Sequence, residues 1–429
     1  MLIILGAGLT GLSCALKLLE GRRKYIVIEK EGRAGGLCRT IEKDKFLFDF
    51  SGHLLHLRWK ETSNFVAEML QDNLKKIKRN SKIYIKGIYS DYPFQINLYN
   101  LPNSIKKKCV EDFITSRLRN EKPNPLNFKE WSYSVFGKSI SEQFMIPYNE
   151  KLYSFKAQDM TALWIEGFVP IPSISDIISG AYIKKVEGSG YNSTFYYPIY
   201  GGIESLVRKI YERVKENVML ESDVSGINFS QKKIKLNNSK EIKYSRLVST
   251  IPLKNLILMS DAPQSIKSAA KKLKHNTVHI LNLGIKKTKI PYHWIYFPQN
   301  NIPFYRIGFY SNFSKKLAPN GFSSMYVEFS SEPDKSFDIN KARKEAIKWL
   351  KILKIINDED DIITEMWSTI ACAYVIYDGE RERAVERIHS FLKEKDVIST
   401  GRYGGWKYSF MEENIKDGFE TAQRLIQGG

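Results

Sequence analysis

Two stretches of this sequence combine residue types and spacings that could do chemistry. The first is Gly6-Ala7-Gly8-Leu9-Thr10-Gly11, which follows the apolar run LIIL and opens a helix-like segment. In a G-x-G-x-x-G turn the first glycine permits the tight turn and the second lets the backbone approach a pyrophosphate. The third allows helix and strand to pack closely. Amide N–H groups at the helix start then face the phosphates. Glu29 ends the next apolar run, YIVIE, where a carboxylate accepts hydrogen bonds from ribose hydroxyls and disfavours a 2′-phosphate. The second stretch is SGHLLH, Ser51 to His56. Two of the chain's six histidines, His53 and His56, stand here three residues apart, a spacing that on a helix puts both rings on one face. Residue type leaves them open to metal binding, acid–base work or packing.

These groups need elements to hold them. LIIL reads as a buried strand, LSCALKLLEG as a helix ending at a glycine, and YIVIEK as a second strand, which makes a β-α-β unit. Between about residues 100 and 190, SIKKKCVEDFITSRL, SISEQFMIPYNEKLY and SISDIISGAYIKK carry helical patterns. From about 200 to 260, IESLVRKIYERVKE reads as helix, and VMLESDVSGI and RLVSTIP as strands. Residues 275 to 375 alternate and are rich in aromatics, as an antiparallel sheet is: HILNLGI, HWIYFP, FYRIGFYSNF, SSMYVEFS and ITEMWSTIACAYVIY. The tail reads strand, loop, helix. The pattern predicts an α/β fold with a Rossmann-like dinucleotide-binding domain made of residues 1–95, 200–275 and 376–429. A helical cap at 96–199 and an antiparallel β-sheet substrate domain at 276–375 interrupt it.

At 429 residues, 43% hydrophobic and 13% aromatic, the chain is globular and long enough for two or three domains. Its net charge of +19 is spread as single lysines without a basic–aromatic array, which argues against a nucleic-acid partner. The cysteines, Cys14, Cys38, Cys109 and Cys372, form no C-x-x-C pair, so free thiols and no metal site are expected. No apolar run has the length of a membrane span. MLIILGAGLTG lacks the basic region and cleavage site of a signal peptide. The expectation is a cytoplasmic protein, with room for peripheral membrane contact and for a homodimer.

A second glycine pair follows Glu29, in Gly32-Arg33-Ala34-Gly35-Gly36-Leu37-Cys38-Arg39-Thr40. It resembles the flavoprotein pattern of the amine oxidase and protoporphyrinogen oxidase superfamily. VMLESDVSGI resembles the strand whose valine, Val224 here, lies over the adenine in those proteins. STGRYGGWKY followed by MEENIKDGFETA resembles their last flavin-binding segment, with Arg402 near the cofactor and the backbone of Met411 and Glu412 facing the flavin. The resemblance implies bound FAD, held also by Gly6, Gly8, Leu9, Thr10, Gly11, Glu29, Lys30, Gly35, Gly36 and Leu37.

The remaining motifs together resemble the UDP-galactopyranose mutase family, its eukaryotic-type branch more than the usual bacterial one. Tyr92-Pro93-Phe94-Gln95-Ile96-Asn97-Leu98 is similar to the family's YPFQNN segment, in which tyrosine, phenylalanine and glutamine hold the uracil. Two aromatic faces and one amide suit a flat base with a donor–acceptor edge. Pro147-Tyr148-Asn149-Glu150-Lys151 with Met160 and Trp164 is similar to its PYN-x-K and M-x-x-x-W run, and Asn192 to Pro198 to NATFRFP. His293 to Pro298 and Pro303 to Arg306 match the segment whose tyrosine and arginine, Tyr296 and Arg306 here, grip the diphosphate. Tyr374 and Tyr408 fall where two further phosphate-binding tyrosines lie, and Asn192 where the pyrophosphate or sugar is touched. Such groups bind a pyrophosphate without a metal, and tighten as charge grows on a leaving UDP. Gly52-His53-Leu54-Leu55-His56 is similar to the G-x-H-I-F-H segment beside the flavin. That implies Gly52 close to the ring, His53 near its N5 as a catalytic residue, and His56 packing or hydrogen-bonding behind it.

Two places depart from the family. Phe168 stands where it carries a mobile-loop arginine, with Lys184 and Lys185 as the nearest cations, and Tyr408-Ser409-Phe410-Met411-Glu412 replaces Tyr-Glu-Val-Gly-Asn. The resemblance implies an isomerase that interconverts pyranose and furanose forms of UDP-galactose or a related UDP-sugar. It would act through a flavin N5–sugar adduct with reduced FAD, take NAD(P)H as reductant, and serve glycan biosynthesis. The rivals are an FAD-dependent oxidoreductase of the wider superfamily and a non-catalytic UDP-sugar-binding relative.

Overall fold

The run LIIL forms the strand Leu2–Leu5 at the centre of a five-stranded parallel sheet. The order is Val397–Ser399, Arg246–Ser249, Leu2–Leu5, Tyr25–Ile28, Val218–Met219. Both faces of such a sheet are covered, which is why its strands read as unbroken apolar runs. Ile4 packs into one apolar cluster, while Ile3 and Leu5 pack into another on the opposite face. The helix Leu9–Glu20 rises from the glycine turn and packs against the last helix, Met411–Gln427. The structure, a computed structural model, describes residues 1–119, 127–165, 169–184 and 193–428.

A seven-stranded sheet stands beside this one. Its order is Ile362–Ile370, Thr277–Lys286, Phe322–Ser331, Arg306–Gly308, Trp294–Tyr296, Ser81–Ile85, Ile88–Asp91. All its pairs are antiparallel except Trp294–Tyr296 with Ser81–Ile85. The mixed α/β fold is as expected, but three expectations need correction. Residues 81–91, expected with the dinucleotide-binding segment, complete the second sheet because Ser81 to Ile83 run parallel to Trp294 to Tyr296. The stretch FYRIGFYSNF is strand only at Arg306–Gly308 and then turns into the short helix Tyr310–Phe313, which carries the Tyr310 hydroxyl inward to Asn282. The region 96–199 is not all helical. After the helices Asn103–Leu118, Phe128–Ile140, Ile146–Tyr153 and Ile174–Tyr182 it ends in the strand Thr194–Pro198, paired antiparallel with Leu74–Lys78.

The register of the second sheet lines up a row of side chains. Tyr296 lies opposite Arg306, and Arg306 opposite Glu328, on three successive strands. Directly opposed residues share a face, so this row is set by the pleat.

Several separate segments meet at Asp49, the last residue of the strand Phe46–Asp49. Its buried carboxylate accepts from the Thr40 hydroxyl (2.6 Å), the Tyr197 hydroxyl (2.5 Å) and the Ile203 amide (3.3 Å). Its main-chain carbonyl accepts from the Tyr310 hydroxyl at 2.7 Å. One residue thus ties the glycine-pair hairpin, the end of the cap and the short helix that follows the strand Arg306–Gly308. Removing it strands several buried donors, each costing about 1–3 kcal/mol. Asp49→Ala is therefore expected to lower the unfolding free energy of the holoprotein by about 3 kcal/mol or more, read from urea denaturation. A loss under about 1 kcal/mol would show that the hub is not needed.

Candidate active site

The dinucleotide end is built from close backbone contacts. A Cβ on Gly11 would lie 2.0 Å from the Gly6 carbonyl oxygen, so only glycine lets the helix start this near the strand. The glycine pair folds back on this turn. The Gly35 amide donates to the Ala7 carbonyl (2.8 Å), and a Cβ on Gly36 would lie 3.2 Å from the Gly8 Cα. Gly35 and Gly36 have φ of 120° and 56°, and Leu37 continues them in the short turn Gly36–Cys38. Glu29 is buried. One of its carboxylate oxygens accepts from the Ala7 amide (2.8 Å) and the other from the Glu31 amide (3.0 Å). Each keeps a lone pair for a ribose hydroxyl. The Ser222 amide donates to the Glu29 carbonyl at 2.8 Å, which brings the strand Val224–Asn228 beside the acid. Lys30 is exposed, with its Nζ 3.6 Å from Glu31. The Thr10 hydroxyl donates to Asn414 at 3.1 Å, so its side chain ties the first helix to the last.

SGHLLH is not a helix. It runs as an irregular segment pinned at Leu55, whose amide and carbonyl pair with Tyr196. The two histidines have different surroundings. His53 has a buried Nδ1 with no partner among the described residues. Burial first, and then the charges of the Arg402 and Arg306 guanidinium groups, push its pKa down to about 4, so both cations stand near this ring. His56 sets its Nδ1 3.3 Å from the Thr194 carbonyl and packs edge-on against Phe195 and Phe410. Among the described residues no group of three His, Cys, Asp or Glu could hold a metal ion. Gly52 makes room for a side chain: a Cβ there would lie 2.6 Å from the Tyr326 hydroxyl oxygen.

Arg402 is buried and donates to the main-chain carbonyls of Ser409 (3.0 Å) and Ala373 (2.9 Å). Its guanidinium lies 5.4 Å from the Tyr374 ring centre and 5.5 Å from that of Tyr408, and these two rings stack at 6.3 Å. Trp164 and Tyr153 close this wall, with Trp164 6.1 Å from Tyr408 and Tyr153 5.7 Å from Tyr374. Met411 and Glu412 open the last helix, whose first amides lack intrahelical acceptors. The Glu412 side chain faces away, into the core. It accepts from the amides of Arg58 (2.7 Å) and Trp59 (2.8 Å) and from the Thr62 hydroxyl (2.6 Å).

Arg306 is gripped by Glu328, which is fully buried: its Nε and Nη2 donate to the two carboxylate oxygens, Nη2 at 3.0 Å. Nη2 also donates to Ser51 at 3.1 Å, just ahead of His53. Tyr296 contacts the rings of Tyr92 (5.3 Å) and Tyr148 (5.1 Å). Two of the expected base contacts are engaged elsewhere. Phe94 is fully buried against Phe144 at 5.6 Å, and presents no open face to a base. Gln95 donates its amide to the Pro170 carbonyl at 2.7 Å. Asn192, Phe168 and Lys185 lie outside the described residues.

Sequence reasoning missed Glu328. Its signal was there: a lone acid in SSMYVEFS, between the apolar Val327 and Phe329. It also missed Arg79, whose guanidinium lies 4.4 Å over the Tyr92 ring, and the Lys151 contact. Lys151 donates to the Phe297 and Gln299 carbonyls, both at 2.7 Å, and burial pushes its pKa down to about 7.

The residues present fit FAD. The glycine cradle brings backbone close enough to meet a pyrophosphate, Glu29 suits a ribose, and His53 keeps a buried nitrogen with no partner among the described residues. Residues 9–426 match the family described as flavin containing amine oxidoreductase. Among curated proteins, a stretch covering 58% of the chain is 25% identical to an L-amino-acid oxidase of Protobothrops flavoviridis. A shorter one, 12% of the chain, is 36% identical to an all-trans-retinol 13,14-reductase of Danio rerio. The matched stretches span 50% and 9% of these relatives, half of their length or less. Among solved structures, a reduced UDP-galactopyranose mutase superimposes with a TM-score of 0.94 at 26% identity, covering 100% of this chain and 96% of that one. A putrescine oxidase bound to putrescine gives 0.67 at 14% identity, over 99% and 98%, a likeness of fold alone.

Two outcomes follow. Glu328→Ala leaves a buried guanidinium unpaired and should cost about 3–5 kcal/mol in urea denaturation; a loss within experimental error would show that Arg306 needs no partner. Burial pushes His56 and His293 down to about 4, below their unfolded value near 6.5. Between those values the unfolded chain holds protons that the folded one does not, so stability is full above about pH 6.5 and falls toward pH 4. His293→Gln should show a shallower fall than the parent, and equal slopes would contradict the cause.

Proposed function

The chain belongs to the flavin containing amine oxidoreductase family, with the fold of a UDP-galactopyranose mutase, and from that premise we propose that it is an FAD-dependent isomerase of UDP-galactopyranose or a related UDP-sugar. The observation that carries this reading is a pair of cation–phenol groupings, Arg306 beside Tyr296 and Arg402 beside Tyr374 and Tyr408, with both guanidinium groups near His53. That arrangement suits a diphosphate next to a flavin.

Each side chain then has a task. Tyr92 stacks on the base, with Gln95 reading its edge once released from Pro170, and Phe94 buttressing the loop through Phe144. Tyr296, Tyr374 and Tyr408 donate hydrogen bonds to the diphosphate, their pull growing as negative charge builds on the departing UDP. Arg306, oriented by Glu328, keeps guanidinium hydrogens for the same oxygens. His53 is neutral at pH 7, so its Nδ1 can exchange a hydrogen bond with a neighbour without adding charge. Reduced FAD, when bound, supplies a nucleophile for the anomeric carbon with no net redox change. We assign Asn192 a sugar or pyrophosphate contact, NAD(P)H the role of reductant, and the cytoplasm as the compartment.

Dithionite-reduced protein incubated with a panel of UDP-sugars should yield the ring isomer of one, and oxidised protein none. Arg306→Ala should lose about 3–4 kcal/mol of transition-state stabilisation, several hundredfold in kcat/KM. The competing reading is an oxidase or dehydrogenase, favoured by the oxidoreductase names of the curated relatives. It requires stoichiometric flavin reduction by an amine or isoprenoid-like substrate and no affinity for UDP. Isomerisation absent throughout the panel, together with absent UDP binding, would reject the mutase.

A further inference from the structure

We propose that Arg79 supplies the second cation for the substrate's diphosphate, a nucleoside-diphosphate contact that rests on the mutase reading and extends it. Arg306 is paired with the buried Glu328, so the pair carries no net charge. A diphosphate has more than one negative charge to offset, and a neutralised guanidinium offers hydrogen bonds but little field. Arg402 is one uncompensated cation, since it donates to the main-chain carbonyls of Ser409 and Ala373.

Arg79 is the other. Its guanidinium has neither a carboxylate nor a carbonyl partner among the described residues, and it is only partly exposed. Its side-chain contact among the described residues is the face of Tyr92, which holds the guanidinium without neutralising its charge. The segment is firmly held. The Arg79 amide donates to the Ser193 carbonyl at 2.9 Å, and the Asn80 amide to His293 Nδ1, also at 2.9 Å. The side chain lies over Tyr92 at 4.4 Å, Tyr92 meets Tyr296 at 5.3 Å, and Tyr296 stands opposite Arg306 in the sheet. The two arginines therefore bracket one aromatic floor, Tyr92 and Tyr296. Both guanidinium groups also act on the Tyr296 phenol, favouring its charged form. Arg79 leads from the strand Leu74–Lys78, where Lys75 and Lys76 are exposed and add to a field that draws an anion toward this end. Position 79 thus offers a bidentate donor, with no carboxylate partner among the described residues, on the same floor as the residues assigned to the diphosphate.

The test is calorimetric titration of the FAD-loaded protein with UDP, UMP and uridine. Arg79→Ala should weaken UDP by about tenfold, equal to about 1.4 kcal/mol, and uridine by about twofold or less. Arg79→Lys should recover part of the loss. Arg79→Gln, which keeps the stacked stem without the charge, should behave as Arg79→Ala and serves where the alanine variant does not fold. If the parent binds UDP and Arg79→Gln binds it equally well, the Arg79 assignment fails while the mutase reading stands. Equal weakening of uridine and UDP also overturns it, because Arg79 would then act on the base through Tyr92. A parent with no affinity for UDP overturns the assignment together with the reading beneath it.

Discussion

The buried carboxylate of Asp49 is the interaction on which the rest of this structure depends. Burial drives its pKa up to about 6, against the hydrogen bonds from Thr40, Tyr197 and Ile203 that favour the charged form. Those donors come from separate places in the chain: the hairpin after the glycine pair, the strand that ends the cap, and the turn after Gly201-Gly202. A buried acid tolerates few arrangements, because an unmet lone pair or donor costs as much as a core contact yields. Through its carbonyl, Asp49 also holds Tyr310, in the short helix that follows a strand of the second sheet. Ser51 and His53 follow within a few residues, so what fixes the domains relative to one another also fixes the inner wall of the site.

Charge is distributed over the site with similar economy. Glu328 makes it possible to bury Arg306 and dictates the direction of its fork, leaving the guanidinium as a geometric guide more than a source of field. The field comes from Arg402, turned toward main-chain carbonyls and stacked near Tyr374 and Tyr408, and from Arg79 over Tyr92. Around them stand phenols whose burial raises their pKa values, among them Tyr148, Tyr296 and Tyr326. Such phenols remain donors at any physiological pH, which suits an anionic ligand. The neutral His53 adds no charge that would oppose the two arginines.

Local pattern was readable where the physics is local. The G-x-G-x-x-G turn, the acid at the end of the second strand and the glycine pair depend on backbone sterics, and each adopts the form its residue types require. His56 behaves as a packing residue, in keeping with a segment that resembles the flavin-side loop of the mutases. Phe94 and Gln95 show the opposite case. Their motif is intact, yet one ring is sealed in the core and one amide is spent on Pro170. A motif specifies side-chain types; whether a face stays open is settled by what other segments cover.

What the sequence by itself determined is the dinucleotide turn, the alternation of parallel strands and helices around it, and the family resemblance in the order of the motifs. These follow from neighbours a few residues apart. Tertiary structure alone decided that residues 81–91 complete the second sheet and that Tyr296, Arg306 and Glu328 form one row. It also decided that Arg79 comes to rest over Tyr92 while Arg306 is neutralised. The reason is physical: strand register and the pairing of buried charges depend on segments far apart in sequence, and no local propensity encodes which of them meet.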